Sequence, residues 1–133
     1  MRLPTEKEWE RAARVTDGRM AGNILKAGEF TAANANVAER IGEGIGATAV
    51  CTYPQGRSPV GAWDISGNVW EWTSSRWSVD KDWPVVRGGS WYYPLGDARP
   101  ASRFRDPPDD WDANRGFRVV LSLANSEFCT SGF

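Results

Sequence analysis

A single amphipathic stripe is all the helical pattern this chain carries. Thr5 can cap it, Glu8 stands three residues later as the second half of a capping box, and Trp9, Ala12 and Ala13 follow at i, i+3 and i+4 spacing. The helix is expected to end near Asp17-Gly18. Across 133 residues, 14 glycines and 8 prolines interrupt every other run, and 8 tryptophans call for aromatic packing. The pattern predicts a turn-rich α+β domain over residues 1–121, with short twisted strands, long irregular loops and one modest core.

The rest of the chain reads as short strands between loops. Residues 19–46 show no sustained period and are expected to form a long irregular loop. Val50–Tyr53 is expected to be a short strand, followed by turn chemistry from Pro54 to Pro59. After the turn Asp64-Ile65-Ser66-Gly67, alternation puts Trp70 and Trp72 on one side and Val69 and Glu71 on the other. Val85–Trp91 reads as a strand whose pair Gly88-Gly89 implies a bulge or a close backbone approach. Residues 92–115 read as loop, Gly116–Leu121 as the last strand, and 122–133 as a frayed tail. Trp63, Trp70, Trp72, Trp77 and Trp91 are assigned to the core.

Composition narrows the chemistry. Lys plus Arg number 16 and Asp plus Glu 17, so no basic excess draws a polyanion and no nucleic-acid partner is expected. Histidine is absent, which excludes Ser-His triads and histidine-held metals. Cys51 and Cys129 are too few for a disulfide framework or a four-thiolate site. No run of 18 apolar residues occurs and Met1 leads directly into Arg2-Leu3-Pro4-Thr5, so neither membrane insertion nor a signal peptide is expected and the chain reads as soluble. Asp106, Asp109, Asp110 and Asp112 are crowded enough to raise the idea of paired carboxylates, but Pro107-Pro108 separates them in a segment read as exposed, and the solvated reading prevails.

Four motifs in order carry a family resemblance. They are Arg2-Leu3-Pro4-Thr5-Glu6 with Glu8-Trp9-Glu10 and Ala12-Ala13-Arg14, then Gly67-Asn68-Val69-Trp70-Glu71-Trp72, Arg87-Gly88-Gly89-Ser90-Trp91, and Gly116-Phe117-Arg118-Val119. Together they resemble the formylglycine-generating-enzyme, or sulfatase-modifying factor, domain, a variant of the C-type lectin fold. Such domains usually carry a strand and helix before the Leu-Pro-Thr-Glu motif, so the chain is expected to be a minimal version or a C-terminal half. The resemblance implies calcium as a structural cofactor, held by oxygen ligands. One site would use Asp64, Gly67, Val69 and Glu71, and a looser second one Asn36, Val37, Glu43 and Ile45. The alternative is that Asp64 and Asn68 cap a turn while Glu71 pairs with an arginine.

The same resemblance argues against catalysis. The aerobic enzymes of the family hold a copper-binding cysteine pair in the segment after Gly-Gly-Ser, and here Trp91–Arg99 contains none. The related iron-dependent sulfoxide synthases need histidines. A narrower resemblance concerns the frame from Arg87-Gly88-Gly89-Ser90-Trp91 to Gly116-Phe117-Arg118-Val119, which is similar to the variable region of proteins diversified by retroelements. Adenine mutagenesis of AAC codons cannot yield Lys, Glu, Gln or Met, and none of these occurs from Tyr92 to Asn114. Trp111 needs a different template codon, such as AGG.

The resemblance implies a non-catalytic protein that binds a protein or peptide ligand through Tyr92, Tyr93, Pro94, Leu95, Asp97, Phe104, Asp106, Pro107, Asp110, Trp111, Asp112, Ala113 and Asn114. Ala98, Arg99, Ala101, Ser102, Arg103 and Arg105 would be the constant scaffold, with the arginines anchoring loop carbonyls. For Tyr92, Tyr93, Phe104 and Trp111 the competing reading is core packing. Two other functions stay open: a sulfatase-modifying-factor-type enzyme or its degenerate paralogue, and a regulatory or sensory module of a larger protein.

Overall fold

A computed structural model describes residues 1–14, 30–40 and 45–121. Its one α-helix among these, α1 (Glu6–Ala13), starts as the sequence predicts: the Thr5 hydroxyl accepts from the Glu8 N–H while the Glu8 carboxylate accepts from the Thr5 N–H. Trp9 and Ala13 are completely buried, the inner edge of the stripe. The helix ends four residues before Asp17, with Arg14 already extended and its N–H bonded to the Glu10 carbonyl. The β-branched pair Val15-Thr16 that follows is poor helix material, which the expected end point overlooked.

Four strands make one mixed sheet in the order β3-β2-β1-β4. Here β1 is Trp70–Ser78, β2 Lys81–Arg87, β3 Arg103–Arg105 and β4 Arg115–Phe117. β1 and β2 form an antiparallel hairpin, β3 pairs antiparallel with β2, and β4 lies parallel to β1 with Trp70 opposite Arg115. The last strand is shorter than expected; beyond it Val120 forms an isolated bridge with Arg2. β3 lies inside the segment read as loop, because three residues flanked by prolines show no period to read. Val50–Tyr53 is a turn rather than a strand: Cys51 adopts φ 67°, and its N–H is taken by the Asp64 carboxylate at 2.9 Å.

Trp9, Ala13 and Ile65 pack together under α1, and Ala35, Val37 and Ala98 form a second buried cluster. Of the tryptophans assigned to the core only Trp70 is buried, whereas Trp63, Trp72, Trp77 and Trp91 are half-buried. Indoles on a thin one-sheet domain pack one face and leave the other at the surface. The glycine pair behaves as the sequence predicts. Gly89 has φ 73°, and a Cβ there would meet the Ala98 backbone at 2.8 Å, so the chain folds flat against the turn Leu95–Ala98. Among the described residues no helix is long and apolar enough to cross a membrane. The predicted tail, 122–133, lies outside the described residues.

Candidate functional site

The turn entering β1 is built by amides and arginines. Asn68, at φ 67°, accepts through Oδ1 from the Asn36 side-chain amide at 3.1 Å and from the Thr48 N–H at 2.9 Å. Its backbone N–H donates to the Asn36 carbonyl, and Gly67 donates to the Gly88 carbonyl at 2.7 Å. Glu71 is buried, with Arg118 donating to both of its oxygens and the Trp9 indole N–H donating to Oε2 at 2.5 Å.

This donor set does not fit the first calcium site. Glu71 is neutralised by the Arg118 guanidinium, and Asp64 points its Oδ2 to the Cys51 amide. The turn-capping and arginine-pairing alternative describes the geometry. At the second site the Asn36 amide donates to the Gly46 carbonyl, the Val37 carbonyl accepts from the Arg40 N–H, Ile45 is exposed, and Glu43 lies outside the described residues. Among the described residues no three carboxylates or thiols gather to hold a metal ion.

The segment 92–114 divides sharply. Tyr92, Pro94, Phe104, Asp110, Trp111, Asp112 and Ala113 are exposed, Trp111 at 90%. Tyr93, Leu95, Asp97 and Pro107 are half-buried. Asp106 and Asn114 are buried instead: Arg115 donates to Asp106 at 2.6 Å and also to the Asn114 side chain, while the Asn114 carbonyl accepts from Trp70. Their acid and amide groups are spent inside the protein, a tertiary fate that local spacing could not reveal.

The aromatics of this segment form a row that runs through the buried Trp70. Phe104 lies 6.0 Å from Trp70, Trp70 meets Tyr93 edge-on at 5.6 Å, and Tyr93, Tyr92 and Trp91 continue at 5.8 and 5.6 Å. The Trp91 indole N–H reaches the Ala113 carbonyl at 3.5 Å, which ties the loop carrying Trp111 to Trp91. A pocket of about 400 Å³, lined by Val37, Ala38, Arg40, Ile45, Trp91 and Tyr92, opens at the same end.

The arginines that hold this segment are not the expected ones. Arg99 is exposed, and Arg103 and Arg105 both lie over the Trp77 ring, at 4.5 and 5.0 Å from its centroid. Arg87, 1% exposed, binds the Pro100 carbonyl, Glu6 and Glu10, and lies over Trp9. Burial pushes the Glu6 carboxyl up, but hydrogen bonds and charge from Arg103 and Arg87 outweigh it and hold Glu6 below its ordinary value. An arginine within a strand otherwise read as buried, as in Val85-Val86-Arg87, was the available signal.

Comparison with known proteins places this arrangement. Residues 1–123 match the family described as Sulfatase-modifying factor enzyme 1-like domain. The chain is 35% identical over 134 residues to the inactive C-alpha-formylglycine-generating enzyme 2 of Bos taurus, covering 90% of this chain and 43% of that protein. It is 36% identical over 167 residues to the formylglycine-generating enzyme of Streptomyces coelicolor, covering 98% of this chain and 48% of that one. Its fold superposes on Treponema denticola variable protein 1 with a TM-score of 0.68 and 27% identity, over 87% of this chain and 45% of that one. The chain thus spans under half the length of these relatives. With its capped α1, its Gly67–Trp72 turn and its Arg87 and Arg118 anchors in the order the motifs predict, this chain belongs to the sulfatase-modifying factor enzyme 1-like family and has its C-type-lectin-like α+β fold.

Proposed function

We propose that this domain is a non-catalytic ligand-binding module of the variable-protein type, with the row Phe104–Tyr93–Tyr92 and Trp111 as its contact surface. One observation carries the reading. Displayed side chains in 92–114 stand between the buried positions Ala98, Pro100 and Asp106 that the fold pins through Gly89, Arg87 and Arg115, so the displayed set can change while the frame stays. Rigid aromatic side chains supply binding area at low entropic cost. Likeness to a variable protein and to an inactive paralogue supports the same view. The thiol-free segment Trp91–Arg99 is consistent with it.

Two experiments test this. Panning a random twelve-residue peptide library should enrich binders on the wild-type chain and none on the variant Tyr92→Ala, Tyr93→Ala, Phe104→Ala, Trp111→Ala. Equal enrichment on both overturns the surface assignment. Formylglycine formation on a cysteine-containing sulfatase peptide, read by mass spectrometry, overturns the non-catalytic reading. Diversification has its own readout in genomic DNA: a near-copy of codons 87–121 differing at adenines, beside a reverse transcriptase gene. Without either, 92–114 is a fixed binding loop.

A further inference from the structure

We infer that the partner taken by this surface is a cationic polypeptide segment, one presenting lysine or arginine side chains; the inference rests on the binding role proposed above and names its chemistry. The first ground is the charge left on display. Of the charged groups in 92–114, Asp106 is consumed by Arg115, Arg103 is paired with Glu6, and Arg105 is turned with Arg103 onto Trp77, across the strand from Phe104. What the segment leaves without a charged partner is the half-buried Asp97 and the exposed Asp109, Asp110 and Asp112 against the exposed Arg99. Among the described residues none of these four carboxylates has an ion-pair or hydrogen-bond partner, and Asp109, Asp110 and Asp112 are the near neighbours in sequence of a Trp111 that is 90% exposed. An exposed indole in a run of unpaired carboxylates suits an ammonium or guanidinium: the ring quadrupole and the carboxylates attract the same charge.

The second ground points to a peptide rather than a lone cation. Trp70 is 2% exposed, yet its indole N–H has no acceptor among the described residues, although its ring is flanked by Tyr93 and Phe104 of the contact row. A buried donor without an acceptor is costly, and a backbone carbonyl admitted by a shift of the Tyr93 or Phe104 ring would supply one. Cationic side chains for Trp111 and a carbonyl for Trp70 are both parts of one polypeptide segment.

The test uses the whole chain and three acetylated twelve-residue peptides of repeating Lys-Ser-Gly, Gln-Ser-Gly and Glu-Ser-Gly, titrated by calorimetry, alongside the composition of library peptides enriched by panning. Expected are binding of the lysine peptide only and enrichment of lysine and arginine in the panned pool. Its affinity should fall about tenfold or more in Trp111→Ala and in the triple variant Asp109→Asn, Asp110→Asn, Asp112→Asn, and fall again as salt rises. Neutral or acidic panned peptides that still need Tyr92 and Phe104 would overturn the cationic partner while the binding role stands. A pool that fails to enrich at all would overturn both. Lysine-peptide binding that survives Trp111→Ala unchanged would also sink the inference, because the attraction would then be unspecific charge.

Discussion

Glu71 and Arg118 are joined two-pronged, each carboxylate oxygen receiving a guanidinium N–H at 2.5 Å, and the same arginine continues to the Trp63 carbonyl at 3.0 Å. The pair welds β1 to the chain just past β4 and, through the Trp9 indole, to α1. Removing one partner leaves the other charge buried and uncompensated. Arg118→Ala should therefore lose roughly 3–5 kcal/mol in urea unfolding, against a smaller loss for Glu71→Gln, because the charge then stranded is that of Arg118, which keeps partial access to water.

The same pair decides the response to calcium. A metal binding only the folded state raises its stability by RT ln(1 + [L]/Kd). With Glu71 held by Arg118 and Asp64 by the Cys51 amide, calcium chloride and EDTA should give the same melting temperature. A rise with calcium would mean that Glu71 exchanges its arginine for the ion.

Acid should loosen the start of α1 first. Arg2 donates to Glu8 through two hydrogen bonds, and this with the Thr5 N–H holds the Glu8 carboxyl down at about 2; Glu6 is also lowered. A carboxyl lowered on folding contributes stability that is complete above its unfolded value, near 4.5, and is lost as pH falls toward the folded one. The melting temperature should be flat with respect to these two groups above about pH 5 and should decline below it. Glu8→Gln should make that decline shallower between pH 4.5 and 2.

Gly89→Ala should be disproportionately harmful. The new methyl would sit 2.8 Å from the Ala98 Cα and 2.9 Å from its nitrogen, at a φ of 73° that alanine resists. Both obstacles are backbone, so no side chain can swing away. A loss well above 1 kcal/mol is expected in thermal or chemical unfolding, against about 0.5 kcal/mol or less for Gly96→Ala, where no atom lies within 4 Å.

Trp111→Ala should leave unfolding within about 0.5 kcal/mol of wild type, because a side chain 90% exposed has little packing to lose. Trp77→Ala should cost more, on the order of 1–2 kcal/mol, since it removes the ring that Arg103 and Arg105 share and that ties β3 to β1. Equal losses would contradict the division between displayed and anchoring aromatics.

What local chemistry determines could be read directly. The Thr5–Glu8 box and the Gly88-Gly89 approach depend on neighbours within a few positions. Asp106 and Asn114 could not be read the same way: Arg115 reaches Asp106 from nine positions away, and the Asn114 carbonyl meets the Trp70 N–H only once β4 has docked beside β1. Nor could the half-exposed Trp72, Trp77 and Trp91: an indole's burial depends on what covers its second face, and here arginines and tyrosines do that for Trp77 and Trp91. β3 is legible only from its partner, since Val86 supplies the register that fixes Phe104.

The Asp106–Arg115 clasp has a consequence for length as well as for sequence. By joining the two ends of the loop 107–114, it makes the cost of closing that loop a local matter, separate from the sheet. Chain-closure entropy grows only with the logarithm of loop size, so doubling the span between the clasped residues costs only about 0.6 kcal/mol. Insertions carried between Pro107 and Ala113 should therefore be nearly free to the fold, and the reach of this surface can lengthen without the frame beneath it being rebuilt.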